Sequence, residues 1–124
     1  MLGELPVKRL KVLLHTNEND RWKIALGNAE NLLNAVSEGA VDVVMIGNGE
    51  SVIAYEKSPY LYTMKALAEK GVTFLACRNS MKKMKEEGKI SITEQELPAF
   101  VTVVPAGIVA IIEKQNEGYA YVKP

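Results

Sequence analysis

A single cysteine and a single histidine are the residues of this chain whose types point most directly to chemistry. Cys77 lies in the stretch FLACRNSM, directly after an apolar run and directly before Arg78. A thiolate is a strong nucleophile, and the pKa of a thiol falls when its sulfur lies near a cation or a helix N-terminus. Because free cysteine is also among the most buried residue types, the sequence leaves two interpretations of Cys77 open, a reactive nucleophile and a packed core thiol.

The count of one cysteine limits the chemistry that this thiol can do. A dithiol mechanism of the CxxC type and an intrachain disulfide both need a second cysteine, so both are excluded. A lone thiol can still accept a sulfur atom as a persulfide and pass it to the thiolate of a partner. His15 would assist by taking or stabilising a proton, provided that the fold brings it beside Cys77. The alternative is a histidine that is only hydrogen-bonded at the end of a strand.

A second candidate feature is the turn Gly47-Asn48-Gly49, which follows an apolar run. Glycines after a parallel strand can cradle a phosphate. A GxGxxG fingerprint would need glycine at position 52, where the chain has Val52, and no GxxxxGK[ST] motif is present. The sequence therefore favours a tight turn that borders a site, and a nucleotide or flavin binder ranks last among the possible functions. With one histidine, one cysteine and scattered carboxylates, neither a metal nor a cofactor is predicted.

Apolar runs and helical periodicity alternate along the chain. Strands are predicted over residues 9–15, 41–47, 72–77, 101–105 and 119–122. Helices are predicted between residues 17 and 39 and over residues 60–70, 80–87 and 106–117. Strands that are apolar on both faces and separated by helices indicate a parallel sheet with helices on both sides. The expected fold class is α/β, a three-layer α/β/α sandwich formed by one domain over residues 1–124.

In such a sheet, ligands and reacting groups collect at the carboxyl ends of the strands. His15 and Cys77 both fall on that edge, which is the first observation that goes beyond fold class. Arg78 and a helix opening at Ser80 are expected to lower the pKa of the Cys77 thiol. The candidate binding residues at the same edge are Arg78, Asn79, Ser80, Gly47, Asn48, Gly49 and Gly107.

Composition narrows the classes of partner. Fifteen basic residues balance fifteen acidic ones, and no basic stripe is present, so nucleic acid and anionic membranes are not expected as partners. No apolar run approaches the ~18 residues that a membrane span needs. The start of the chain, MLGELPVKRLKVLLH, lacks the features of a signal peptide. With no disulfide to indicate an oxidising compartment, the expected location is the cytoplasm.

Several segments together make the chain resemble the DsrE/DsrF-like family, in particular its stand-alone branch from archaea and bacteria. They are KVLLH, DVVMIGNG, FLACRNSM and VVPAGIVAIIEKQNEGYAYVKP, and the resemblance spans residues 8–124. It implies a five-stranded parallel sheet similar to that of flavodoxin, and assembly into homo-trimers or homo-hexamers. In better-studied relatives, one cysteine carries a persulfide sulfur between partner proteins. Cys77 matches that cysteine by position, and His15 matches the family's KVxxH pattern.

Two functions from different classes follow. The first is a sulfur-relay protein in which Cys77 carries a persulfide sulfur, with proteins that donate and accept sulfur as partners. The second is a non-catalytic homo-oligomer, structural or binding a small molecule, in which Cys77 is only packed. An open-edged sheet favours self-association. The apolar residues expected at the subunit contact are Val52, Ile53, Tyr55, Tyr60 and Tyr62.

Overall fold

A computed structural model describes residues 9–37 and 39–124. In this part of the chain the strands are β1 (Leu10–Thr16), β2 (Val41–Gly47), β3 (Thr73–Cys77), β4 (Val101–Val104) and β5 (Ala120–Val122). The α-helices are α1 (Trp22–Ala35), α2 (Leu61–Glu69), α3 (Arg78–Glu86) and α4 (Gly107–Asn116). Short 3-10 helices cover Asn19–Arg21, Gly49–Tyr55 and Glu94–Glu96. Residues 1–8, which belong to the segment that lacks signal-peptide features, lie outside the described residues.

The five strands form one sheet in the order β4-β3-β2-β1-β5, and all neighbouring pairs are parallel. The predicted α/β fold with a five-stranded parallel sheet is confirmed. From β1 to β4 the chain steps across the sheet in one direction. It then returns through α4 to place β5 on the far side of β1.

The two faces of the sheet are covered unequally. One face carries Val12, Met45 and Phe74, which pack against apolar residues of α1, α2 and α3. The other face packs against α4 through a smaller cluster formed by Leu13, Val44, Ile46, Leu75, Ala110 and Ile111. Since α3 and α4 follow the neighbouring strands β3 and β4 but cover opposite faces, their first turns diverge at the ends of these strands. Such a divergence creates the crevice where open α/β sheets commonly bind ligands.

The start of α3 differs from the sequence-based prediction. The helix was expected to open at Ser80, but it begins at Arg78, two positions earlier. The side chain of Cys77 accepts a hydrogen bond from the backbone N–H of Ser80 and so fills the N-cap position, a role usually taken by Ser, Thr, Asp or Asn. Cys77 therefore belongs to the helix terminus itself.

The expected subunit contact is wrong in two of its residues. Val52 and Tyr55 are 1% and 0% exposed, respectively, and belong to the core. The 3-10 helix Gly49–Tyr55 places them in the core, where the ring of Tyr55 packs against Trp22 and its hydroxyl donates to the backbone carbonyl of Leu75 at 2.9 Å. Tyr62, by contrast, is 85% exposed.

Among the described residues, no helix combines the length and the apolar character that crossing a membrane requires.

Candidate functional site

The sulfur of Cys77 lies between the N-termini of two helices. It accepts the backbone N–H of Ser80 in α3 at 3.4 Å and the backbone N–H of Gly107, the first residue of α4, at 3.2 Å. The first N–H groups of a helix have no partner within the helix and carry its positive dipole end. Both helices therefore favour a negative charge on the sulfur.

Burial and hydrogen bonding act on the pKa of Cys77 in opposite directions. The residue is 5% exposed, and this burial, the largest single influence, raises the pKa of the thiol. Hydrogen bonds from the Ser80 hydroxyl and from the backbone of Ser80, Gly107 and Asn79 lower it. Together the hydrogen bonds prevail, and the pKa of Cys77 lies below its ordinary value. A larger fraction of this thiol is therefore ionised near neutral pH than of a free cysteine.

Ser80 connects the thiol to the turn after β2. Its hydroxyl oxygen accepts the backbone N–H of Gly49 at 2.8 Å, which leaves the hydroxyl proton for the sulfur of Cys77. Gly49 has a φ of +57°, and a Cβ there would lie 3.2 Å from the carbonyl oxygen of Asn17. Glycine is thus required by the turn, and the turn fixes the serine that bonds the thiol.

Gly107 allows the close approach of α4 to the site. A Cβ on this residue would lie 3.2 Å from the Cβ of Cys77 and 3.3 Å from the Cβ of Asn48. Both neighbours are Cβ atoms tied to the backbone, so they cannot move aside by rotation of a side chain. The absence of a side chain at position 107 is what lets the first N–H of α4 reach the sulfur.

His15 is held by two hydrogen bonds, and neither goes to Cys77. Its Nδ1 lies 2.7 Å from the hydroxyl oxygen of Tyr121, and its Nε2 lies 2.7 Å from the Oδ1 of Asn48. Burial, the largest influence, lowers the pKa of His15, and the charge of Lys123 lowers it further against the opposing bond to Asn48. The imidazole is therefore neutral near pH 7. The predicted proximity to Cys77 is indirect, because β2 lies between β1 and β3.

Asn48 occupies the space between the histidine and the thiol. Its backbone N–H donates to the carbonyl of Thr16 at 3.1 Å, and its carbonyl accepts the Ser51 hydroxyl at 2.7 Å. These bonds fix the backbone of the turn across the ends of β1 and β2. The side chain consequently has a defined position, with Oδ1 on His15 and Nδ2 near Gly107.

Arg78 does not have the position expected of it. Its guanidinium forms a two-bond ion pair with Glu94, at 2.5 Å and 3.2 Å, and among the described residues it makes no hydrogen bond to Cys77. The Glu94 carboxylate raises the pKa of this guanidinium. The cation predicted to stabilise the thiolate is thus bound to a carboxylate, and the helix termini supply the stabilisation instead.

Two further predicted site residues have other roles. The side chain of Asn79 is exposed, and this residue affects the thiol only through its backbone. A Cβ on Gly47 would lie 3.0 Å from the ring of Trp22 and 3.3 Å from that of Tyr55. Gly47 is therefore required by packing, and its proximity to these rings leaves no phosphate cradle at this position.

A cavity of about 260 Å³ lies beside the site and is lined by Arg78, Met81 and Glu94 among others, but not by Cys77. Among residues 9–37 and 39–124, no group of three His, Cys, Asp or Glu side chains is arranged to hold a metal ion. The arrangement suits a reaction with a group presented from outside.

Tyr121 and Glu94 are site residues that sequence reasoning missed. Tyr121 is 39% exposed and bonds His15 across 106 positions of the chain. Glu94 lies in a polar connection without a motif, on the 3-10 helix Glu94–Glu96. Neither residue carries a sequence signal, because both act through contacts that only the folded sheet creates.

Comparison with known proteins agrees with this fold and with the family resemblance. The model of the DsrE/DsrF-like family matches residues 11–124. Among solved structures, a protein of unknown function, MTH1491 from Methanobacterium thermoautotrophicum, is similar with a TM-score of 0.77 and 25% sequence identity. That similarity covers 93% of this chain and 99% of the other. No curated protein matches the chain.

The fold and the family match together define the class. The protein is an α/β protein with a parallel five-stranded sheet, and it belongs to the DsrE/DsrF-like family.

Proposed function

We propose that this protein is a sulfur-relay protein that carries a persulfide sulfur on Cys77. Membership of the DsrE/DsrF-like family supports a role related to sulfur relay. The single observation that carries the proposal is the position of the Cys77 sulfur, which accepts N–H groups from the first turns of both α3 and α4. A thiol in this setting ionises readily and is a good nucleophile, which is what a sulfur carrier needs.

The loading step transfers a sulfur atom that is already at the sulfane oxidation level, so no oxidant is needed. The Cys77 thiolate attacks the outer sulfur of a persulfide on a donor. A bond forms between Sγ and that outer sulfur, and the S–S bond of the donor breaks. The electron pair of the broken bond leaves on the donor as a thiolate. The hydrogen or negative charge on the outer sulfur moves with it.

Unloading follows the same exchange in reverse. The thiolate of an acceptor attacks the outer sulfur of the loaded Cys77, and the electron pair returns to Sγ. The leaving thiolate forms at the position that two helix N-termini and the hydroxyl of Ser80 stabilise. In this proposal the donor and the acceptor are thiols displayed by partner proteins that approach the carboxyl ends of the strands, where Cys77 lies.

The alternative function is a non-catalytic module in which Cys77 is only packed. The observation in its favour is the 5% exposure of this residue. A packed thiol and a carrier thiol differ in accessibility and in ionisation near neutral pH, so one experiment separates them.

That experiment measures the rate of alkylation of Cys77 by iodoacetamide against pH, with intact mass as the readout and a parallel incubation with polysulfide. If Cys77 is a sulfur carrier, the apparent pKa of its thiol is expected to lie below that of a free cysteine, and polysulfide is expected to increase the mass of the protein by one sulfur atom. Cys77→Ser must abolish both signals. A thiol that stays unmodified until denaturant is added would overturn the proposal in favour of the packed module.

The proposal includes self-association, with α4 as the contact. Ile108, Val109 and Ile112 are 62%, 51% and 51% exposed, and they form an apolar surface on α4, the helix that packs against the smaller core cluster. Such an apolar surface fits an identical surface on a second copy better than it fits a strongly charged partner. We propose a homo-trimer or homo-hexamer located in the cytoplasm, where thiols stay reduced.

A further inference from the structure

The direction of the Asn48 carboxamide and the protonation of the His15 ring are linked through one hydrogen bond. Oδ1 of Asn48 can only accept, so the Nε2 of His15, 2.7 Å away, must carry a proton. In a neutral imidazole the other nitrogen then has to accept, and Nδ1 receives the hydroxyl of Tyr121 at 2.7 Å. The three side chains thus form one chain of donors and acceptors, here called the Tyr121–His15–Asn48 relay.

The relay directs the Nδ2 group of Asn48 toward the thiol side of the turn. The point where a Cβ of Gly107 would lie is 3.5 Å from this Nδ2 and 3.2 Å from the Cβ of Cys77. Among the described residues, no hydrogen bond from Nδ2 of Asn48 is present. Nδ2 of Asn48, which has no hydrogen-bond partner among the described residues, thus borders the same point as the Cβ of Cys77.

The thiol in its unloaded state does not need this donor. Its sulfur already accepts from the backbone of Ser80 and Gly107 and from the Ser80 hydroxyl, and Asn48 is not among the groups that shift its pKa. A loaded sulfur extends about 2 Å beyond Sγ, the length of an S–S bond. A donor placed for Sγ is not placed for an atom about 2 Å away, so the outer sulfur can accept a hydrogen bond that Sγ does not accept.

We propose that Asn48 Nδ2 donates a hydrogen bond to the outer sulfur of a persulfide on Cys77, and that His15 and Tyr121 are positioning residues that fix the direction of this amide. The inference rests on the proposed function, since it concerns the loaded state of the same thiol. The donor stabilises negative charge on the outer sulfur and holds the S–S bond in one orientation for the incoming acceptor.

The test compares the loaded and unloaded states of the same variants. Protein loaded with polysulfide is treated with cyanide, whose carbon attacks the outer sulfur; thiocyanate leaves, and Cys77 regains its thiol. The rate of thiocyanate release is measured against pH, beside the pH profile of iodoacetamide alkylation of unloaded protein. For Asn48→Ala the relay predicts that the pH profile of thiocyanate release moves to higher pH by about one unit. This is a change of about tenfold in the acid dissociation constant of the loaded sulfur, the effect of one hydrogen bond to a charged atom.

The unloaded profile of Asn48→Ala is expected to stay within about twofold of the wild type, because Asn48 does not bond Sγ. Tyr121→Phe keeps the ring but removes the donor to His15, so the amide loses its fixed direction and a smaller shift of the same sign is expected. The matched control is Tyr62→Phe, which removes the hydroxyl of a tyrosine that is 85% exposed.

Each other outcome is decisive. Equal shifts in the loaded and unloaded profiles would mean that Asn48→Ala merely displaces the turn, and the relay would be refuted. An unchanged loaded profile in both Asn48→Ala and Tyr121→Phe would also refute it, while sulfur carriage by Cys77 stood. If Asn48→Ala does not fold, Tyr121→Phe decides alone. Failure of the wild type to take up sulfur would overturn the proposed function itself.

Discussion

The backbone N–H of Gly107 donates to the sulfur of Cys77 across 3.2 Å, although 30 positions of the chain separate the two residues. This bond links the first residue of α4 to the last residue of β3. The thiol therefore lies at the point where the chain returns across the sheet. Its acidity depends on the placement of α4 as well as on that of its own helix, α3.

Gly107→Ala is expected to raise the pKa of the Cys77 thiol. The added Cβ would lie 3.2 Å from the Cβ of Cys77, so the first turn of α4 must move away and lengthen the N–H···S bond. Overpacking of this kind costs about 1–3 kcal/mol of the free energy of unfolding. The pH profile of iodoacetamide alkylation and urea unfolding measure the two effects.

Gly27→Ala is the matched control for that substitution. No atom lies within 4 Å of the position of the new Cβ, and Gly27 lies inside α1. Replacing glycine by alanine within a helix stabilises it by about 0.5–1 kcal/mol. The control should thus gain stability and keep the alkylation profile of Cys77. A profile that stays unchanged in Gly107→Ala as well would contradict the role of the α4 terminus.

Ser80→Ala is expected to raise the pKa of Cys77 and to loosen the turn after β2. The variant loses the hydroxyl that bonds the thiol and leaves the N–H of Gly49 without its acceptor at 2.8 Å. The loss of one such hydrogen bond costs about 1 kcal/mol. Alkylation against pH is the measurement, and Ser91→Ala, which removes an exposed hydroxyl bonded to Glu56, serves as the control. Identical profiles for Ser80→Ala and Ser91→Ala would rule out a role of the Ser80 hydroxyl.

Arg78→Met is expected to leave the alkylation profile of Cys77 nearly unchanged. The guanidinium is paired with Glu94, and both side chains are partly exposed, so the pair contributes about 0–1 kcal/mol to stability. Glu94→Gln is the informative companion, because it releases the cation. If the pKa of the thiol falls in Glu94→Gln, the ion pair normally keeps the charge of Arg78 from acting on Cys77. A large shift of this pKa in Arg78→Met would instead show that the arginine acts on the thiol directly.

Acidification is expected to destabilise the protein through His15. Burial lowers the pKa of this residue in the folded state, so below about pH 6.5 the unfolded chain binds a proton that the folded protein does not. The free energy of unfolding then falls with falling pH, by at most about 1.4 kcal/mol per pH unit, until the folded pKa is reached.

His15→Gln tests this pH dependence, because the chain has no other histidine. Urea unfolding at about pH 7.5 and about pH 5.5 should show a decrease in the wild type that the variant lacks. The carboxyls of Asp42 and Glu56 lose their stabilising effect at lower pH, because hydrogen bonds from Arg9 and Ser91, respectively, lower their pKa values in the folded state. An equal decrease in both proteins would assign the effect to other groups.

Ile112→Glu tests the proposed self-association through α4 and is expected to lower the mass of the protein in solution. The substitution places a charge in the apolar surface of α4, where Ile112 is 51% exposed. Light scattering at micromolar concentration measures the mass. Ile24→Glu is the control, since Ile24 is 45% exposed but lies on α1, which covers the other face of the sheet. A wild-type mass equal to that of a monomer would refute the contact.

The sheet could be predicted from sequence because each strand carries its own apolar signal. The β2 run VDVVMIG was assigned residue for residue, and the edge that carries His15 and Cys77 followed from the parallel order alone. The boundaries of helices and strands are harder to predict where one residue ends a strand and also caps the next helix. Cys77 reads as the end of a strand, yet it also caps α3, and cysteine is not a usual signal for a helix cap.

The partners of the site residues could not be predicted, because they depend on tertiary contacts. Nothing in the sequence pairs Arg78 with Glu94 or brings Tyr121 to His15. Likewise, Val52 and Tyr55 look like exposed apolar residues near a turn until a 3-10 helix places them in the core. Residue types indicated the chemistry, whereas hydrogen bonding between distant segments decided which groups take part.

The position of β5 beside β1 has a consequence for the order of events during folding. Strands β1 to β4 are each joined to a neighbour in the sheet by a local crossover, but β5 must return to pair with β1, and His15 meets Tyr121 only after a loop of 106 positions closes. Closing long loops is entropically slow, so contacts of this kind form late. We therefore expect the hydrogen bonds from the N-termini of α3 and α4 to the Cys77 sulfur to form before the hydrogen bond between His15 and Tyr121. The surroundings of the Cys77 thiol would then be complete before the Tyr121–His15–Asn48 relay that we propose to orient an outer sulfur.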